Sequence, residues 1–486
     1  MAVMLGMGAA CFGALAGEGE GRAASGPLRV HPSNPRYFAD AEGRAVLLTG
    51  FHTWNNLQEM GTSDPPEQFD YEGYLDLLQE HGVNYIRLWR WEMPKYRYPS
   101  KMYPSNEAYR HCTPHPWQRT GQGEARDGKP KFDLSRFDPG YFDRLRERVA
   151  RAGEHGIYVS VMLFEGHCVQ FAEEGWEFHP FAAGNNVNGI DADADGDKRG
   201  LEFYTLDVPE VTRLQQAYVR KVIDTVNDLG NVLYEISNEA GSYSTEWQYH
   251  MIRFIKEYEA GKPHQHPVGM TFQYKGGTNA NLFAGPADWI SPNPDGGYRD
   301  DPPAADGAKI IVSDTDHLWG VGGSRSWIWK TFARGMHPVF MDPWGERDTL
   351  FRGMTPDEID DLRSNLGYVQ RYSGKMNLAT ALPLGELASS GYCLANPGVE
   401  YLVYLPKGGA VEVDLSAVQG RTAVEWFSPD TGRAVEGSAA DGGGHCSLTA
   451  PFEGDAVLYL RADRAGGRRV MEEVIQGLKR LNQNGR

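Results

Sequence analysis

The sequence predicts an α/β fold, a (β/α)8 TIM barrel over residues 26–377, followed by a small all-β sandwich domain over residues 378–464. Three observations predict it. Between residues 28 and 372, eight short apolar runs alternate with longer amphipathic ones, the pattern of a parallel sheet wrapped by helices. No glycine-rich phosphate turn follows the first strand, which argues against an open doubly wound sheet. Past residue 378 the helical period stops and short β-type runs separated by turn residues take over.

The predicted barrel strands are residues 45–50, 85–89, 158–164, 232–237, 268–272, 289–291, 309–313 and 339–341. Helices are expected over 71–81, 141–155, 211–228 and 245–260. The third places Leu214, Ala217, Tyr218, Val222 and Val226 close to a 3.6-residue period. The β-region has runs at 401–405, 410–415, 422–427 and 456–460, divided by turns such as Pro429-Asp430-Thr431-Gly432. Residues 465–486 space Val470, Val474, Leu478 and Leu481 as a terminal amphipathic helix. At the other end, residues 1–25 carry an apolar run over 2–16 followed by small residues. This reads as a signal peptide or an unstructured N-terminus, and the first implies a secreted or periplasmic protein.

Composition narrows the function. The 48 basic and 65 acidic residues leave a net charge of −17, which argues against a nucleic-acid partner. No internal run approaches the roughly 20 apolar residues of a membrane span. The 12 Trp, 24 Tyr and 20 Phe supply the flat side chains that carbohydrate clefts use, although cores use them too. Of five cysteines, Cys11 would leave with the signal peptide. Cys112 with Cys168 and Cys393 with Cys446 would each pair within one domain, and free buried thiols are an equal alternative.

In such a barrel the reactive groups lie at the C-terminal strand ends. The fourth strand ends Tyr234-Glu235-Ile236-Ser237-Asn238-Glu239. An acid beside an amide there suits glycoside hydrolysis, with Glu239 protonating the leaving oxygen and Asn238 holding a sugar 2-hydroxyl. The seventh ends Ser313-Asp314-Thr315-Asp316-His317, where Asp314 and Asp316 share parity and can both face the interior. Other strand ends supply candidate sugar contacts: His52 and Trp54, Trp89, Glu165 and His167, His317 and Trp319, and Trp344. Glu235 also reads as an interior acid paired with an arginine.

These residues resemble glycoside hydrolase clan A, and family 5 cellulase-like proteins in particular. The matching pieces are Tyr85-Ile86-Arg87, the fourth-strand motif, a carboxylate ending strand seven, and Trp344 after strand eight. The resemblance implies Glu239 as acid/base, Asn238 as the 2-hydroxyl contact and Arg87 as positioner of the strand-seven carboxylate. The region after residue 378 resembles the collagen-binding domain of bacterial glycosidase-like proteins. One departure stands out: the clan ends strand seven with Glu, and this chain has Asp. Matching Ile311-Val312-Ser313-Asp314 to the clan pattern makes Asp314 the expected nucleophile, with Asp316 second. Either could instead cap the following turn. The shorter side chain withdraws the carboxylate by roughly 1.5 Å. Retaining enzymes hold their carboxyls about 5–5.5 Å apart and inverting ones about 6.5–9.5 Å, so the stereochemistry stays open at this point.

A second pattern, Asp191-Ala192-Asp193-Ala194-Asp195-Gly196 with Glu202 after five more residues, matches a calcium loop. It predicts a structural Ca²⁺ held by Asp191, Asp193, Asp195, Asp197 and Glu202, against the alternative of a solvated acidic loop. The leading functional expectation is an exported glycoside hydrolase acting on a β-linked poly- or oligosaccharide. A carbohydrate-binding or adhesion protein that kept the barrel and lost the chemistry is the second. A metalloenzyme using His52, His167 and His317 ranks lower, because no close-spaced ligand motif joins them.

Overall fold

The computed structural model describes residues 24–97, 108–171, 174–344 and 354–463. The terminal helix, and the signal peptide but for its last two residues, fall outside them. Eight parallel strands close a barrel: β1 (Gly50–His52), β2 (Tyr85–Leu88), β3 (Tyr158–Glu165), β4 (Val232–Asn238), β5 (Val268–Thr271), β6 (Trp289–Ser291), β7 (Ile310–Asp314) and β8 (His337–Met341). Around them lie α1 (Tyr71–Glu80), α2 (Pro139–Glu154), α3 (Pro209–Val226), α4 (Thr245–Glu259), α5 (Asn279–Ala284), α6 (Arg325–Ala333) and α7 (Pro356–Lys375). Helix starts follow local chemistry. Asp138 caps α2 with Pro139 in its first turn, and Thr355 and Glu358 form a reciprocal capping box on α7.

The strands read as continuous apolar runs because both faces are covered. Tyr85, Tyr158, Leu233, Trp289, Ile310, Val312 and Val339 fill the interior together with Leu28, Phe38 and Leu48. Two glycines make this packing possible. A side chain at Gly269 would strike the Trp289 indole, and one at Gly50 would strike the Tyr85 carbonyl, where β1 pairs with β2. The first strand differs from expectation. Ala45–Val46 pairs instead with Phe38–Ala39 in a three-stranded antiparallel sheet, and the barrel strand begins at Gly50.

The C-terminal unit is a β-sandwich. Its strands are β9 (Leu382–Pro383), β10 (Cys393–Asn396), β11 (Glu400–Leu405), β12 (Ala410–Asp414), β13 (Arg421–Ser428), β14 (Arg433–Asp441), β15 (His445–Thr449) and β16 (Ala456–Ala462). The large sheet runs β9-β10-β11-β16-β13-β14, and β12 pairs with β15. Alternation along the central strands divides their two faces. Ala395, Tyr401, Val403, Leu458 and Leu460 enter the sandwich core with Val411 and Val413. Leu394, Leu402, Tyr404, Val457 and Tyr459 join the barrel's own core, where Trp329 of α6 stacks on Tyr404 at 6.2 Å and Tyr372 of α7 meets Phe427 at 5.2 Å. Cys112, Cys393 and Cys446 are free thiols, so neither expected bridge is formed. The side chains of Cys11 and Cys168 lie outside the described set.

Candidate active site

At the C-terminal end of the barrel, Arg87 is almost wholly buried, and all five of its N–H groups are engaged. Its Nε and Nη2 donate to the two oxygens of Glu235 at 2.9 and 2.6 Å, and Nη2 also reaches Asn238 Oδ1 at 2.8 Å. Its Nη1 donates to Asp314 Oδ2 at 3.0 Å and to Asp316 Oδ2 at 2.8 Å. Glu235 is therefore the expected interior acid paired with an arginine. A guanidinium stays charged when buried, so its burial is costly unless carboxylates are set against it, and here three are.

Asp314 is saturated. The Trp89 indole can only donate, and it reaches His52 Nδ1 at 3.1 Å. His52 Nε2 is then the protonated nitrogen, which contacts both Asp314 oxygens at 2.9 and 3.1 Å. Asp314 Oδ1 also accepts the Asp316 backbone N–H at 2.9 Å, which caps the helical turn Thr315–Leu318. Burial opposes ionisation of Asp314, yet His52 and Arg87 together hold its carboxyl well below the usual range. Asp316 is placed differently. Burial pushes it up to about 7 against the pull of Arg87, and the charges of Glu239 and Asp314 add to the rise.

Asp316 and Glu239 line the same cavity, of about 480 Å³, and Asp314 does not. Glu239 follows the last residue of β4 with φ +49°, a left-handed conformation that a non-glycine residue seldom adopts. Its Oε2 lies 2.7 Å from His167 Nδ1. Burial opposes a charge on His167, but the hydrogen bond and charge of Glu239 outweigh it and raise the imidazole pKa. Glu165, at the end of β3, accepts the His167 backbone N–H and so fixes the turn that carries the imidazole. Asn238 Oδ1 takes bonds from Arg87 and from His317 Nε2 at 3.1 Å, while Ser291 Oγ donates to His317 Nδ1 at 2.7 Å. Burial and Arg87 push His317 down to about 3, which keeps it neutral in this arrangement. Asn238 Nδ2 is buried and has no hydrogen-bond partner among the described residues.

Aromatic rings wall the cavity: Trp54, Trp89, Trp91, Tyr96, Phe171, Phe272, Tyr274 and Trp319. Of the expected sugar contacts, Trp54, Trp89, His167, His317 and Trp319 line it. His52, Arg87, Glu165 and Asn238 are not among its lining residues. Trp344 does not line it either; its ring packs on Phe69 and Tyr74 at 5.4 and 5.6 Å. Sequence reasoning missed Phe272 and Tyr274, which follow β5, a strand end for which it named no residue. It also missed Met60, Tyr96 and Arg110, carried by a small antiparallel sheet of Glu59–Gly61, Lys95–Tyr96 and Arg110–Thr113. No barrel pattern announces that sheet.

The acidic loop gathers three of its five expected ligands. Oxygens of Asp193, Asp195 and Glu202 lie within 4.8 Å of one another. Asp193 Oδ1 and Glu202 Oε2 are buried with no hydrogen-bond partner among the described residues, a fit for a cation. Burial raises both carboxyls. Asp191 and Asp197 instead accept the backbone N–H groups of Asp193 and Arg199 at 3.2 and 2.8 Å.

Known structures share this architecture. A protein described as a glycoside hydrolase matches with a TM-score of 0.58 at 13% identity, over 90% of this chain and 97% of its own. A glycoside hydrolase family 5 protein from Bacteroides vulgatus matches with a TM-score of 0.59 at 13% identity, over 91% and 95%. That likeness establishes the fold. The model "Domain of unknown function (DUF6298)" matches residues 106–275, and "Putative collagen-binding domain of a collagenase" matches residues 386–461. No curated protein matches the sequence. Among the described residues, no helix is long and apolar enough to cross a membrane.

Proposed function

We propose that the protein is an exported glycoside hydrolase that cleaves β-linked poly- or oligosaccharides with retention of configuration. Glu239 is the acid/base and Asp316 the nucleophile. The observation that carries this reading is the placement of Glu239 and Asp316, the two carboxylates of one aromatic-walled cavity at the ends of β4 and β7. Asp314, the residue first expected to attack, has every oxygen engaged and serves to hold His52, Arg87 and the Asp316 backbone in place.

In the first step Glu239 gives its proton to the glycosidic oxygen as an Asp316 oxygen bonds to the anomeric carbon and the leaving group departs. In the second, Glu239 takes a proton from water, whose oxygen attacks that carbon and frees Asp316. The unpartnered Asn238 Nδ2 suits a sugar 2-hydroxyl oxygen as acceptor. Aryl β-glycosides and polysaccharides test the activity, and binding without turnover on all of them would assign a carbohydrate-binding protein instead. Azide tests the roles. It restores turnover of an activated substrate to Glu239→Ala with a retained glycosyl azide and to Asp316→Ala with an inverted one; the reverse pattern exchanges the two residues.

We also propose that Asp193, Asp195 and Glu202 hold a structural Ca²⁺, on the strength of the loop spacing together with the two orphaned carboxylate oxygens. Bound there, the ion would neutralise carboxyls whose charge burial disfavours.

A further inference from the structure

Among the described residues, the cavity is lined by two arginines besides its carboxylates and His167: Arg110 and Arg299. Arg110 is buried, on the small sheet that walls one part of the cavity. Arg299 is exposed, and its side chain makes no ion pair or hydrogen bond among the described residues. The chain around it is nonetheless fixed. The Tyr298 side chain is buried in the core and its carbonyl accepts the Trp327 indole N–H at 3.0 Å. The Asp300 carbonyl accepts Lys330 Nζ at 2.9 Å, and the Asp300 and Asp301 N–H groups close on the Gly297 carbonyl. The guanidinium carbon lies 5.3 Å from the centroid of the Trp319 ring, which meets Trp327 edge-on at 5.5 Å.

Such an arginine is stiffened by its stacking contact and presents a planar donor fork to the cavity. A neutral sugar meets that fork only with uncharged hydroxyl oxygens, whereas a carboxylate matches it in two parallel, charge-assisted bonds. The stack also occupies a face of Trp319, the ring expected to hold a sugar. In a protein of net charge −17, a cation at this one mouth offsets the field that would repel an anionic substrate.

We propose that Arg299 recognises the acidic group of a charged sugar, a uronic acid carboxylate, in a subsite beside Glu239 and Asp316. This rests on the glycosidase reading and specifies its substrate class. Calorimetry on the full chain with Glu239→Gln, which blocks turnover, tests it using matched pairs that differ only at C6. The pairs are β-1,4-linked gluco-oligosaccharides with their glucuronate counterparts, and methyl β-galactoside with methyl β-galacturonide. The acidic member of a pair should bind about tenfold more tightly, the worth of one charge-assisted hydrogen-bond pair. The preference should shrink with added salt. Adding Arg299→Gln should bring the ratio within about twofold of unity, and Arg299→Lys should restore part of it.

Neutral binding with no acidic preference overturns the inference and leaves the glycosidase reading standing. A preference that survives Arg299→Gln overturns it as well. Binding to no member of any pair overturns both readings. A sulfated β-galactan fragment bound more tightly than the uronates replaces the carboxylate with a sulfate ester.

Discussion

Two regions of this molecule are equally dry and are held together by opposite means. At the mouth of the barrel, Arg87, Glu235, Asp314 and His52 lie buried as interlocked charges and polar groups. Where the sandwich meets the barrel, Trp329, Tyr372, Tyr404, Phe427 and Tyr459 lie buried as rings, with polar groups such as Glu425 reaching Tyr372 and Lys375 at the margin. Burying charge costs more than it returns unless every group is matched, whereas burying aromatic area stabilises directly. The first region therefore reads as a place where position is fixed at the expense of stability, and the second as a source of that stability. Substitutions should separate the two.

The largest effect belongs to the mouth. Glu239→Gln and Asp316→Asn should each lower kcat by roughly 10³-fold or more with the protein still folded, measured by aryl-glycoside kinetics beside calorimetric melting. Asp314→Asn should do the reverse in kind. It removes the charge that Asp314 sets against Arg87 and a carboxylate oxygen that accepts from His52 Nε2, at a cost of about 3–5 kcal/mol in denaturant unfolding. A kcat loss for Asp314→Asn equal to that of Asp316→Asn would return the nucleophile to position 314. At the seam, Trp329→Ala should also cost about 3–5 kcal/mol, with kcat/KM of the folded protein unchanged. A fall in kcat/KM there would show that the seam shapes the site.

Smaller effects follow from titration. As the proposed nucleophile Asp316 would have to be ionised to attack, and burial raises it to about 7, so kcat/KM should drop as pH falls below about 7. The same shift bears on stability. Its folded value lies above its unfolded one, so its contribution to stability is fullest below about pH 4 and is lost as pH rises toward 7. Urea unfolding of Asp316→Asn and of the parent protein should coincide most closely near pH 4 and diverge toward pH 7 as the parent loses stability relative to the variant. The hydrogen bond and charge of Glu239 raise the His167 pKa. Glu239→Gln should accordingly lower the His167 pKa followed by NMR titration of the imidazole, and an unchanged value would separate the two groups. Smallest is the loop: chelation should lower the melting temperature by a few degrees, and Ca²⁺ should restore it. No calcium binding up to millimolar concentrations in calorimetry would remove the ion.

The barrel was legible because its strands are apolar on both faces and its helices carry a 3.6-residue period, so seven of the eight strands fall within two residues of expectation at either end. The first strand slipped because one apolar run, Ala45 to Leu48, serves a separate sheet before the barrel begins. The hairpin Trp117–Glu124 with Pro130–Phe137 went unseen, since its outer half alternates polar with polar, as in Gln118-Arg119-Thr120-Gly121. The place of Glu239 at the cavity was legible from its neighbours in sequence. Which of Asp314 and Asp316 reaches the cavity was not: strand parity treats them alike, but the strand ends at Asp314 and Asp316 rides on a helical turn. Parity does not survive that change of backbone. Arg299 and Tyr274 were hidden for another reason, because only the closed barrel brings loops distant in sequence to one opening.

The sheet of the sandwich has one face turned inward on its own core and the other merged with α6 and α7. A module of that kind cannot be moved about like a bead on a string. Ending the chain after residue 377 would strip the cover from Trp329 and Tyr372, and expressing residues 378–463 alone would bare Tyr404, Phe427 and Tyr459. Either fragment would present an oily patch to water and self-associate. What reads in sequence as two parts strung together is, in its packing, one piece.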